Sequence, residues 1–77
     1  MIKHSTLKIN QNDNVAVALN DLKIGEVNID NKTINLNHFI PQKHKFSLEK
    51  ISKGDNVIFY GVIVGIAQED IYEGDLI

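Results

Sequence analysis

Three adjacent pairs carry the side chains with which this sequence could do chemistry: His44-Lys45, Tyr60-Gly61 and Asp13-Asn14. A histidine near neutrality can exchange a proton or ligate a metal. A lysine beside it can hold a substrate carboxylate as a point charge. If His44 and Lys45 lie in an extended strand, their side chains point to opposite faces, and only one meets a given ligand. The alternative is a surface pair beside a buried Phe46. The Tyr60 hydroxyl could bind a polyol, and Gly61 would allow a close backbone approach or a bulge. The competing reading is a tyrosine at the edge of the core, followed by a glycine that ends a strand. Asp13-Asn14 could offer oxygens to a substrate, or form an Asx-type turn ahead of a strand.

Other chemistries are excluded or left without support. The chain has no cysteine, so neither disulfides nor thiolate metal sites are available. His4 and His38 have no second ligand at a recognisable spacing, and no metal site is expected within the chain. Glu69, Asp70, Glu73 and Asp75 form an acidic end that reads as a solvated rim. There is no Gly-rich phosphate loop, nucleophile elbow or dinucleotide fingerprint. All 8 basic residues are lysines, so bidentate arginine clamps are absent. With a net charge of −2 and no basic stripe, nucleic acid is not an expected partner. Met1-Ile2-Lys3-His4 is not followed by an apolar core of the secretory type, and no stretch approaches the roughly 20 apolar residues that span a bilayer. A soluble, cytoplasmic chain with no membrane contact is expected.

The elements that must position these pairs are strands. A chain of 77 residues argues for a single domain with a small core that leans on a partner. Asn14 to Leu19 is a short apolar strand. Glu26-Val27-Asn28-Ile29 and Lys32-Thr33-Ile34-Asn35-Leu36 alternate polar and apolar residues around Asp30-Asn31, two residue types that tolerate the left-handed conformation of tight hairpin turns. Asn37 to Lys43, with the only proline, Pro41, reads as a loop. His44 to Leu48 can extend again with Phe46 and Leu48 on one face, and residues 47–51 can make one helical turn capped by Ser47. Gly54-Asp55 breaks the chain before Val57 to Tyr60, and a second apolar run spans Val62 to Ala67. The segment from Asp70 to Asp75 reads as a turn followed by an edge. The predicted class is all-β: short strands joined by irregular turns.

Two blocks of this sequence resemble the small SAF-type domain of altronate and galactarate dehydratases. The first is Asp13-Asn14-Val15-Ala16-Val17-Ala18-Leu19. The second runs through His44-Lys45-Phe46-Ser47-Leu48, Ile51, Gly54, Val57, Tyr60-Gly61, Gly65, Ala67, Asp70-Ile71 and Gly74, with the family's spacing kept without a gap. The resemblance covers most of the chain from Asp13 onward. It implies a SAF-type β-clip fold, joined to or associating with a much larger catalytic domain or subunit. That larger part would dehydrate a sugar acid with a divalent metal such as iron, so the small domain would carry no cofactor and would not be catalytic alone. The chain would then be a small subunit or the N-terminal fragment of a longer protein. His44, Lys45, Tyr60, Gly61, Asp13 and Asn14 would be its substrate-binding candidates. SAF-like domains also serve as stand-alone ligand-binding, structural or oligomerisation modules, which is the alternative. Three departures stand out. Lys43 replaces a frequent glycine, Phe59 replaces a frequent lysine, and Leu76 stands where a His-rich stretch commonly begins.

Overall fold

The computed structural model describes residues 5–77. His4 lies outside them. The described residues hold seven short strands: β1 (Thr6–Leu7), β2 (Val15–Ala18), β3 (Gly25–Ile29), β4 (Lys32–Leu36), β5 (Lys45–Ser47), β6 (Asn56–Phe59) and β7 (Val62–Ile66). All pair antiparallel, in a three-stranded sheet of order β1-β2-β5 and two hairpins, β3-β4 and β6-β7. The all-β expectation holds, and no helix is present among the described residues.

The alanines of β2 follow from its position. Val15 belongs to a small apolar cluster with Ile51, Val57 and Ala67. Ala16 and Ala18 belong to a larger one with Leu22, Ile29, Ile34, Leu36, Ile40, Phe46 and Leu48. Alternate residues of a strand face opposite sides, so β2 is packed on both, and its small side chains let the neighbouring elements close on it.

The first hairpin turns as its sequence predicts, with Asp30 and Asn31 at φ of 50° and 64°. Both values are those of the mirror-image turn that matches strand twist. The hairpin is held to the rest by the C-terminal segment. Asn37 N–H donates to Gly74 C=O at 3.3 Å, and Gly74 N–H donates to Ser47 C=O at 2.9 Å. Gly74 lies so close to Asn35 that an added Cβ would stand 1.8 Å from its carbonyl oxygen, at a φ of +82°.

The helical turn predicted over residues 47–51 does not form. Ser47 ends β5, and its hydroxyl donates to Glu49 C=O instead of accepting from a helical N–H. Leu48 N–H is taken by Asn14 C=O at 2.9 Å and Ile51 bridges to Ile71. The C-terminal segment thus takes both partners of the bond that a helical turn would make between Ile51 N–H and Ser47 C=O, since Ile51 N–H goes to Ile71 C=O and Ser47 C=O accepts Gly74 N–H. Phe46 and Leu48 do share one apolar cluster, as expected from their spacing.

Candidate functional site

Five of the six candidate residues gather around the β6-β7 hairpin. Its turn is Tyr60-Gly61, with φ of 61° and 71°. The same two-residue, left-handed geometry closes the first hairpin, but a tyrosine occupies a conformation that bulky residues rarely adopt. The Asp13 carboxylate holds the turn. It accepts Tyr60 N–H at 3.1 Å on Oδ2 and Gly61 N–H at 2.8 Å on Oδ1. Asn10 N–H also donates to Asp13 Oδ2, at 3.0 Å, while Asp13 N–H returns to Asn10 C=O. Asp13 is only 3% exposed. Burial by itself would raise its pKa, but the converging backbone N–H groups of Gly61, Asn10, Tyr60 and Ile9 outweigh it and hold the carboxyl below its ordinary value.

Asn14 completes the anchorage. Its side chain accepts Ile58 N–H at 2.8 Å and donates to Asn56 C=O at 2.9 Å. Its amide acts as a short extra piece of ladder along β6. Asp13-Asn14 does not make the expected Asx-type turn: that geometry belongs to Asn10, whose Oδ1 accepts Asn12 N–H at 2.9 Å, and Asp13 and Asn14 instead fix a hairpin more than forty residues away.

Lys45 opens β5 opposite Val17, and its ammonium lies 5.3 Å from the centre of the Phe59 ring. That ring meets Tyr60 edge-on at 5.0 Å. The row Lys45, Phe59, Tyr60 joins two of the candidate pairs. It also gives Phe59 a use where the resembling family often has lysine, because a cation is well placed over an aromatic face. Tyr60 is 64% exposed, so it is not the core-edge residue of the competing sequence reading. His44 is exposed and next to Lys45. Its Nδ1 lies 3.3 Å from Gln42 C=O, and its own C=O accepts Ala18 N–H at 2.9 Å. The preceding Lys43 sits at a φ of 73°, the left-handed conformation that glycine adopts freely. This accounts for the glycine frequent there in the resembling family.

His38 lies 3.6 Å from Asp75, outside the row formed by Lys45, Phe59 and Tyr60. Among the described residues, no three His, Asp or Glu side chains converge as a metal site requires. The donor set described here therefore does not fit the divalent metal that the resemblance implies. A feature the sequence did not suggest is an open groove of about 950 Å³ between β1 and the Asp30-Asn31 turn, lined by residues 6–8, 19 and 28–31. Its cation, Lys8, lies 3.8 Å from Asp30. Its walls come from three segments well separated in the sequence, so no local motif could have revealed it. The groove contains none of the six candidates.

A family model described as the altronate/galactarate dehydratase SAF domain matches residues 4–77. The chain is 51% identical over 69 residues to the altronate dehydratase of Escherichia coli (strain K12), covering 88% of this chain and 14% of that protein. It is 35% identical over 72 residues to the altronate dehydratase of Bacillus subtilis (strain 168), covering 92% of this chain and again 14% of that protein. The chain thus spans a small fraction of the length of the curated relatives it matches, and the matched part is N-terminal.

Proposed function

Since the chain belongs to the altronate/galactarate dehydratase SAF domain family, we propose that it is the accessory domain of a sugar-acid hydro-lyase, working with a larger catalytic part. The observation that carries this reading is the 51% identity to an altronate dehydratase over 69 residues that make up 14% of that enzyme. Most of such an enzyme lies outside this chain, and the chemistry lies with it.

Dehydrating a sugar acid requires a base to remove the proton beside the carboxylate, and an acid or metal to help the hydroxyl depart. A divalent metal would belong to the larger part. This domain would help bind substrate or close the active site against water. Within it, His44 and Lys45 are the residues proposed to touch substrate. Both are exposed, and Lys45 brings an ammonium suited to a carboxylate. The Tyr60 ring meets, edge-on, the Phe59 ring that the Lys45 ammonium covers. Asp13, Asn14 and Gly61 keep that row in place through the bonds described above.

The test is a chimera of the E. coli altronate dehydratase in which this chain replaces the matched N-terminal segment. Altronate turnover is expected from the chimera and none from the isolated chain supplied with iron. Replacing His44 and Lys45 with alanine in the chimera is expected to raise KM about tenfold or more. Turnover by the isolated chain would sink the accessory reading. Unchanged KM and kcat in the double variant would remove the two residues from substrate contact.

A further inference from the structure

The β6-β7 hairpin leaves an apolar face uncovered. Val62, Ile63, Val64 and Ile66 are each more than half exposed. No charged residue occurs anywhere from Asn56 to Ile66. A strand apolar at nearly every position is normally buried on both faces. Among the described residues β7 pairs with β6 alone, so its outer edge is also open. Native proteins blunt such edges with charge, proline or a cover, and β7 has neither charge nor proline. Its one irregularity is the register shift opposite Val57 and Ile58, which leaves Val64 as the extra residue of a bulge.

Resting on the accessory-domain reading, we infer that the β6-β7 hairpin is the surface by which this domain docks onto the larger part of the dehydratase. The bulk of the curated relatives lies outside the matched 14%, and the match is N-terminal, so that bulk follows in the chain. Ile77 N–H bonds Lys45 C=O at 3.0 Å, and the Lys45 ammonium lies over Phe59 of β6. A polypeptide continuing from Ile77 therefore starts beside Lys45, whose ammonium covers Phe59 at the turn end of this hairpin. The anchorage by Asp13 and Asn14 suits a docking element, because a hairpin already held in place loses little freedom when it is covered. The occupant is an apolar surface of the catalytic part, which buries the β7 side chains and shields the open edge.

The experiment is amide hydrogen exchange, followed by mass spectrometry, on the isolated chain and on the chimera. Exchange of residues 62–66 is expected to slow about tenfold or more in the chimera. Combining Val62→Lys with Val64→Lys is expected to restore fast exchange there, while leaving the melting temperature of the isolated chain nearly unchanged. Val64→Thr keeps the branched shape and is expected to give a smaller change in the same direction, should the double variant prevent accumulation. Equal exchange of residues 62–66 in the chain and in a chimera that turns over altronate would overturn the docking surface and leave the accessory function standing. A chimera with slowed exchange but no turnover would support docking and count against the function. Slowing in the isolated chain as its concentration rises would assign the face to a second copy and overturn the proposal.

Discussion

The two hairpins have the same turn geometry and opposite relations to the core. β3-β4 sends Ile29, Ile34 and Leu36 into the larger apolar cluster and is clamped from outside by the segment around Gly74. β6-β7 contributes Val57 and part of Phe59 to the smaller cluster, while β7 itself contributes nothing buried before Ala67. One is held by apolar packing. The other is held by a carboxylate and an amide that satisfy its backbone. Apolar sequence alone does not predict burial: β7 is the more hydrophobic strand and the more exposed.

Gly74→Ala should mark the clamped hairpin most strongly. Left-handed strain and the collision with Asn35 C=O together should cost roughly 3–5 kcal/mol. For a chain with a total stability of roughly 4–11 kcal/mol, that is about a quarter of the whole or more, and urea titration followed by circular dichroism should show the midpoint lowered in proportion. Next comes a matched pair. Ile34→Ala removes a side chain that is 1% exposed and should cost about 3 kcal/mol in urea titration. Ile63→Ala on β7 should stay within about 0.5 kcal/mol. Equal losses would erase the contrast between the hairpins.

Asp13→Asn addresses the anchorage of β6-β7. Because the folded carboxyl is held below its ordinary value, its contribution to stability is present above the unfolded value of about 3.9 and disappears as the pH falls through the lowered folded value. The variant should be less stable than the parent at neutral pH, and the difference should shrink in acid. Faster exchange of the Tyr60 and Gly61 amides should accompany it. A constant difference across the acid limb of a thermal-melt series would contradict this account. The one gain in stability is expected of Tyr60→Asn. Asparagine accepts the left-handed conformation far better than tyrosine, so the second turn should come to resemble the first, with a gain of roughly 0.5–1 kcal/mol in the same urea titration.

What could be read from the sequence follows the same divide. The Asp30-Asn31 hairpin was legible because both turn residues belong to the types that favour its geometry. The Tyr60-Gly61 hairpin was not, since its first turn residue argues against a turn and its anchor lies far away at Asp13. Ser47 looked like a helix cap because the sequence does not show that Asn14 and Ile71 claim the amides of Leu48 and Ile51. The family blocks selected residues that do gather around one hairpin, yet Phe59, which links Lys45 to Tyr60, entered only as a departure from the pattern. The open groove beside β1 had no signature at all, as its walls come from three segments well separated in the sequence.

The position of β2 between the two apolar clusters has a consequence for how the molecule comes apart. Losing either cluster strips one face of the strand on which the other depends, through Val15 on one side and Ala16 and Ala18 on the other. Neither half can melt privately. Apart from β7, the protein should therefore open as one foldon, with the amides of β2 and β5 exchanging only through global unfolding.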